Sequence, residues 1–200
     1  MSSTQELRTF ASAVVRTPAT IGAIAPSSAI LAQRLAEVVP SVGAPTVVEL
    51  GPGTGSVSAA IADRLPPAGR AVAVEIDQVL VDYLHRTRPG LDVVHGDAAE
   101  LDTVLAEAGV DRVDAVVSGL PWALLGVAVQ ERIVDQVVGA LSAHGVFTTF
   151  AYVHALPLAP ARRFRSLLRT RFDEVLPTRC VWRNTPPAIT YVCRRPKVRV

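Results

Sequence analysis

Between residues 46 and 152 the sequence alternates between short apolar runs and helical patterns without a break in rhythm. Runs rich in Val, Ala and Leu fall at 46–50, 71–76, 91–95, 113–118 and 145–152, separated by helix-period segments near 56–65, 78–86, 100–108 and 127–142. Strands that are apolar along their whole length must be covered on both faces, and a helix between two of them sets them parallel. The chain therefore reads as α/β, a single doubly wound, mostly parallel sheet. After a basic helix at about 159–170 the rhythm changes. Two strand-like runs, near 173–183 and 188–195, flank Asn184-Thr-Pro-Pro187 and read as an antiparallel pair closing the sheet. Ahead of the sheet, residues 3–15 have the pattern of an amphipathic helix. Ser3 and Glu6 stand at capping-box spacing, and Leu7, Phe10, Ala11, Val14 and Val15 share one face. A second helix, with Leu31, Leu35 and Val38 inward, follows the loop from Ile21 to Ser28. The organisation is thus an N-terminal helical element over 1–20, suited to a membrane surface or a lid, and an α/β domain over 21–200.

Composition excludes several classes. Half of the 200 residues are hydrophobic and 19% are charged, which is incompatible with a disordered chain. No stretch approaches the roughly 18 uncharged residues of a membrane span. The start, Met1-Ser-Ser-Thr-Gln-Glu6, lacks the basic and then apolar regions of a secretion signal, so a cytoplasmic location is expected. Cys180 and Cys193 lie in strand-like runs without metal-ligand spacing, and a reduced pair and no metal are expected. Charge is unevenly spread. Residues 1–160 carry 9 basic and 16 acidic side chains, residues 161–200 carry 11 and 2, so the end of the chain has the sign to face something anionic.

The sharpest local signal is Val47-Val-Glu-Leu-Gly-Pro-Gly-Thr-Gly55, which follows the first strand and opens the next helix. Gly51, Gly53 and Gly55 allow a tight turn and bring bare backbone to a ligand at the helix N-terminus. The G-x-G-x-G spacing differs from the dinucleotide G-x-G-x-x-G, and no Gly-Lys-Ser/Thr follows as in a Walker loop. Glu75 ends the second strand in Ala-Val-Glu-Ile-Asp77, at the distance where an acid grips two ribose hydroxyls. Asp97, in His-Gly-Asp-Ala98 after the third strand, can cap a helix and accept from an adenine amine at once. All three features fall at carboxyl ends of parallel strands, where open sheets bind ligands.

In this order, Glu-Leu-Gly-x-Gly-x-Gly, Val-Glu-Ile-Asp, Gly-Asp-Ala and Gly-Leu-Pro-Trp122 resemble the class I S-adenosylmethionine-dependent methyltransferases over roughly residues 20–195. The resemblance implies a Rossmann-like, seven-stranded sheet with one antiparallel strand, and S-adenosylmethionine as cofactor. It would set Gly51, Gly53 and Gly55 against the methionine portion, with Glu49 orienting the amino group. Glu75 would hold the ribose and Asp97 with Ala98 the adenine, while Ser28 and Ser118 border the cofactor.

Ser118-Gly-Leu-Pro-Trp122 follows the fourth strand. It resembles the Asn-Leu-Pro-Tyr motif of ribosomal RNA adenine dimethylases, where an Asn side chain and the carbonyl before Pro accept from the target amine. Gly119 stands at the Asn position, so the polar grip on a base is missing. Bacterial phospholipid N-methyltransferases share the Ser-Gly-Leu-Pro segment. They also share an early Gly-Ala-Ile-x-Pro-Ser-Ser, matched by Gly22–Ser28, and a late Asn-x-Pro-Pro-Ala, matched by Asn184–Ala188. This subgroup implies methylation of a phosphatidylethanolamine-type amine at a membrane surface, with Ser118, the Leu120 carbonyl, Trp122 and Tyr152 around the acceptor. RNA adenine and small-molecule acceptors are the alternatives. Trp122 offers a cation–π wall, and Tyr152 and His154 at the end of the fifth strand are candidate proton acceptors. A zwitterionic or anionic phospholipid surface would meet the 3–15 helix with Arg8 and Arg16. It would also meet a patch of Arg162, Arg163, Arg165, Arg169, Arg194, Arg195, Lys197 and Arg199; nucleic-acid phosphates would fit the same charges.

Overall fold

The computed structural model describes residues 27–197; the 3–15 helix, the segment through Pro26 and Arg199 lie outside the described residues. The described chain forms a seven-stranded sheet flanked by helices. The strands are β1 (Thr46–Leu50), β2 (Arg70–Glu75), β3 (Asp92–His95), β4 (Val113–Ser118), β5 (Leu141–Tyr152), β6 (Phe172–Pro177) and β7 (Ala188–Pro196). The helices are α1 (Ala29–Ala36), α2 (Ser56–Ala62), α3 (Gln78–Thr87), α4 (Leu101–Glu107), α5 (Val127–Ala140) and α6 (Ala159–Arg171). Spatial order is β3-β2-β1-β4-β5-β7-β6, with β7 antiparallel to both of its neighbours and the other pairs parallel. The order reverses between β1 and β4. Chains leaving those two strands diverge to opposite sides, which opens a crevice at their carboxyl ends.

Burial follows the period-2 rule. Val48 and Leu50 of β1 and Val116 of β4 face a core that includes Phe147, Phe164, Leu168 and Phe172. Their strand neighbours Val47, Ala115 and Val117 face the opposite core, with Leu31, Leu35 and Ile61. Both layers are apolar, so the central strands bury apolar residues on both faces. Two helices, α1 and α3, start at side-chain caps. Ser28 Oγ accepts the Leu31 N–H at 3.3 Å, and Asp77 Oδ1 accepts the Val79 N–H at 2.8 Å.

Two boundaries differ from the sequence pattern, each for a local reason. α5 stops at Ala140, because Leu141 is already extended and pairs with Val113. The ladder then breaks and resumes at Ala115 opposite Val146, leaving 142–145 outside it. The run at 173–183 is not one strand. β6 ends at Pro177, and a single bridge joins Val181 to Ala188. The Thr190 N–H goes to Thr178 Oγ1 at 3.2 Å, so a side chain takes over one rung. Arg179 and Cys180 then bulge out before pairing returns at Val181.

Asn184 ties the two ends of the described chain together. It is buried; its Oδ1 accepts the Ser28 N–H at 3.0 Å, and its Nδ2 donates to the Pro186 carbonyl at 2.6 Å. The early Pro-Ser-Ser and late Asn-Thr-Pro-Pro segments thus meet in space. Asn184→Ala strands both groups and should lower unfolding free energy by about 1–3 kcal/mol. Urea unfolding checks this, and an unchanged midpoint would show that water replaces the side chain.

Candidate active site

The glycine turn between β1 and α2 is left-handed at all three glycines, with φ of +69° at Gly51, +58° at Gly53 and +83° at Gly55. Its shape is held from below. Glu75, 5% exposed at the end of β2, accepts the Gly53 N–H at 3.2 Å on Oε2 and the Ile76 and Asp77 N–H groups at 2.9 and 3.1 Å on Oε1. Burial pushes the Glu75 pKa up, opposed by these three backbone donors. The carboxylate therefore staples the turn to β2 while keeping acceptor capacity for a ligand.

Glu49 lies beneath the same turn and is 2% exposed. Its Oε2 accepts the Ser58 hydroxyl at 2.6 Å, whereas Oε1 is buried without a protein partner. Burial raises its pKa to about 7, against the Ser58 hydrogen bond, with the Glu75 charge adding to the rise. A buried carboxylate oxygen without a donor at a glycine-lined cradle suits an ammonium group. Asp97 Oδ1 accepts the Ala99 N–H at 2.8 Å and caps the short turn Ala98–Glu100, which fixes the carboxyl beside the end of β3. Ala98 is buried in the core, and Ser28 caps α1 with its hydroxyl.

The loop after β4 interlocks with the glycine turn. The Gly119 N–H donates to the Leu50 carbonyl at 2.9 Å, and a Cβ on Gly119 would stand 2.7 Å from the Gly51 carbonyl oxygen. Position 119 is therefore glycine for steric reasons, and an Asn there would collide with the turn. Ser118 is fully buried, and its Oγ accepts the Leu120 N–H at 3.2 Å. Pro121, at φ −82° and ψ 70°, makes an inverse γ-turn in which the Trp122 N–H returns to the Leu120 carbonyl at 3.0 Å. The next carbonyls are held by Gln130 of α5, whose Nε2 donates to Trp122 O at 2.6 Å and Leu125 O at 3.0 Å. Gln130 belongs to no motif, and nothing in the sequence marks it as a site residue.

Beyond Leu120 opens a cavity of about 350 Å³, bordered by Leu120, Pro121, Trp122, Leu124, Tyr152 and Leu158 among others. Trp122 is mostly consumed by packing. It stacks on Phe164 at 4.5 Å between ring centroids, meets Phe147 edge-on at 6.1 Å and is 3% exposed. Only its remaining edge is available to a ligand. Tyr152 packs edge-on against Phe150 at 5.3 Å and stacks with the exposed His154 at 5.7 Å. Burial raises the Tyr152 pKa, so at neutral pH its oxygen is a hydroxyl and not a phenolate base.

Elsewhere, both cysteines are free thiols, and burial pushes Cys193 up to about 12. Among the described residues no cluster of His, Cys, Asp and Glu could hold a metal ion, and no helix is long and apolar enough to cross a membrane. The basic patch expected at the end of the chain is partly neutralised. Arg195 pairs with Glu174 at 3.3 Å and Lys197 with Asp173 at 3.4 Å.

Two outcomes follow for a ligand carrying an amino group. The folded pKa of Glu49 lies above its unfolded value. Its protonated form therefore favours the free protein, and that stability is lost as pH rises from about 4.5 through about 7. An ammonium ligand demands the carboxylate, so S-adenosylhomocysteine should bind several-fold more tightly at about pH 7.5 than at about pH 5.5. Titration calorimetry on Glu49→Gln should give a flat profile; a retained slope would place the amino group elsewhere. Gly119→Ala should weaken the same binding by about tenfold, since overpacking against the Gly51 carbonyl costs about 1–3 kcal/mol. Wild-type affinity would mean the two loops separate freely.

A TrkA-N domain model matches residues 52–123, from within the glycine turn to just past Trp122. The chain is 35% identical over 179 residues to the ornithine lipid N-methyltransferase of Singulisphaera acidiphila, covering 87% of this chain and 88% of that protein. A ribosomal RNA small subunit methyltransferase A from Geobacter metallireducens is 36% identical over 94 residues, but that stretch is 44% of this chain and 33% of the relative. In structure, the O-methyltransferase of Bacillus cereus solved with S-adenosylhomocysteine superimposes with a TM-score of 0.63 at 18% identity, over 97% of this chain and 92% of that one. The fold, the S-adenosylmethionine cofactor and the likeness over nearly the whole length agree. The chain belongs to the S-adenosylmethionine-dependent methyltransferases, in the family of the Singulisphaera acidiphila ornithine lipid N-methyltransferase.

Proposed function

We propose that this enzyme methylates the amine of a membrane lipid, of the phosphatidylethanolamine type or with an amino-acid headgroup, working from the bilayer surface. The observation that carries the reading is the cavity beyond Leu120, whose walls are almost wholly apolar. A nucleobase needs polar partners for its edge, and the position where a related motif supplies a side-chain partner is Gly119, closed to any side chain by the Gly51 carbonyl. A lipid needs only a dry slot beside the reacting centre, and Leu120 borders both the slot and the glycine turn. The likeness to an ornithine lipid N-methyltransferase supports the same class.

S-adenosylmethionine, when bound, supplies an electrophilic methyl group on a sulfonium sulfur. Glu49 would hold its amino group, the glycine turn its methionine portion, Glu75 the ribose and Asp97 the adenine. The acceptor amine must reach the methyl uncharged, and entry into an apolar slot favours the neutral form by desolvation. The Leu120 carbonyl keeps one lone pair after accepting from Trp122 and can take an amine N–H, fixing the nitrogen's direction. Gln130 holds the Trp122 and Leu125 carbonyls, which braces the loop against which the amine binds. The departing proton passes to water at the cavity mouth, where the exposed His154 is among the lining residues.

The test incubates the protein with methyl-labelled S-adenosylmethionine and mixed micelles of phosphatidylethanolamine, ornithine lipid or phosphatidylcholine, with RNA alongside. Label should enter an amine lipid and neither phosphatidylcholine nor RNA; label in RNA alone would overturn the reading. Leu158→Asp puts a charge on the cavity rim at a residue 54% exposed, where the fold tolerates it. It should cut lipid methylation by at least about tenfold while leaving S-adenosylhomocysteine affinity unchanged.

A further inference from the structure

The loop joining β6 to β7 carries an exposed tryptophan. Trp182 is 73% exposed, while the only other tryptophan, Trp122, is buried. A single apolar side chain on a surface is ordinary, but the setting of this one is not. The Asn184 N–H closes on the Val181 carbonyl at 3.2 Å, which puts Trp182 and Arg183 at the apex of a tight turn. The turn is pinned at its base. Val181 bridges Ala188, and Asn184 binds both Ser28 and Pro186. Ala188 pairs in turn with Tyr152, and the Val153 N–H donates to the Pro187 carbonyl at 2.9 Å. The apex therefore stands at the end of the sheet where Tyr152 borders the acceptor cavity.

Charge around the apex has one sign. Arg179 and Arg183 are exposed, and among the described residues neither pairs with an acid. The sequence has no Asp or Glu after Glu174. An exposed indole, on a hydrogen-bonded turn flanked by two exposed guanidinium groups, matches the boundary between lipid headgroups and acyl chains. Since hydrogen bonds already fix the turn, insertion costs little ordering entropy.

We propose that the Trp182 turn, with Arg179 and Arg183, is a docking element for an anionic lipid bilayer, seating the cavity mouth at the membrane surface. The proposal rests on the lipid reading of the site. It differs from the α6 patch in needing insertion of one aromatic ring and not charge alone.

Fluorescence tests it directly, because buried Trp122 is insulated from the solvent change. With phosphatidylcholine–phosphatidylglycerol vesicles, emission should shift to the blue and be quenched when the phosphatidylcholine carries brominated acyl chains. Trp182→Ala should abolish both signals and weaken vesicle co-sedimentation by roughly tenfold. Arg179→Gln with Arg183→Gln should weaken binding to these vesicles by roughly tenfold and binding to pure phosphatidylcholine vesicles much less. Methylation of water-soluble dihexanoylphosphatidylethanolamine should be unchanged in all variants. Vesicle binding without a Trp182 signal, wild-type co-sedimentation by Trp182→Ala, no vesicle binding at all, or a blue shift with RNA and none with vesicles would each overturn the docking role. Loss of lipid methylation in wild-type protein, by contrast, would overturn the substrate reading whatever Trp182 does.

Discussion

The backbone of Gly51 and the backbone of Gly119 approach so closely that no side chain fits between them. That contact joins two loops from neighbouring strands at the sheet's reversal point, and each half of the site hangs from one of them. On one side, Gly53 is tied to Glu75 and the turn rests over Glu49. On the other, Leu120 begins the turn through Pro121 that Gln130 braces from α5. Cofactor side and acceptor side are thereby held in fixed relation by main chain, which positions reacting groups more firmly than flexible side chains do. The same contact narrows what the acceptor can be, since a polar side chain at position 119 would have to displace the cofactor turn.

Much of this arrangement is legible in the order of residues. The alternation of two-sided apolar strands with helices forces a parallel sheet, and the three glycines with Glu75 and Asp97 fall at successive strand ends because the fold puts them there. What a linear pattern does not carry is three-dimensional closure. Gln130 looks like any polar residue on a helix, yet it is buried and holds two carbonyls. Asn184 and Ser28 are separated by 156 positions, and no local pattern announces that one accepts from the other. The bulge at Arg179 and Cys180 depends on a threonine replacing a backbone acceptor, which propensity does not encode. Trp122 shows the opposite difficulty: its motif position suggests a ligand wall, while its stacking on Phe164 makes it foremost a core residue beside the site.

Glu49 and Glu75 illustrate how similar carboxylates are set to different tasks by what reaches them. Glu75 is buried but receives three backbone donors, which stabilise its charge. Glu49 receives one hydroxyl and keeps a bare oxygen, so its charge waits for a cation. Neither difference is visible in residue type. Both follow from where the glycine turn leaves its N–H groups.

The place of β7 in the sheet has a consequence for how the molecule is assembled. β7 follows β6 in sequence, yet it lies between β5 and β6, with ladders on both sides. Until residues 188–196 leave the ribosome, the long β5 has an open edge, and Phe172 of β6 has no sheet partner. An exposed edge of this kind invites pairing with other chains. The nascent protein therefore carries an aggregation hazard until β7 emerges, and one hairpin closing around Asn184 removes it.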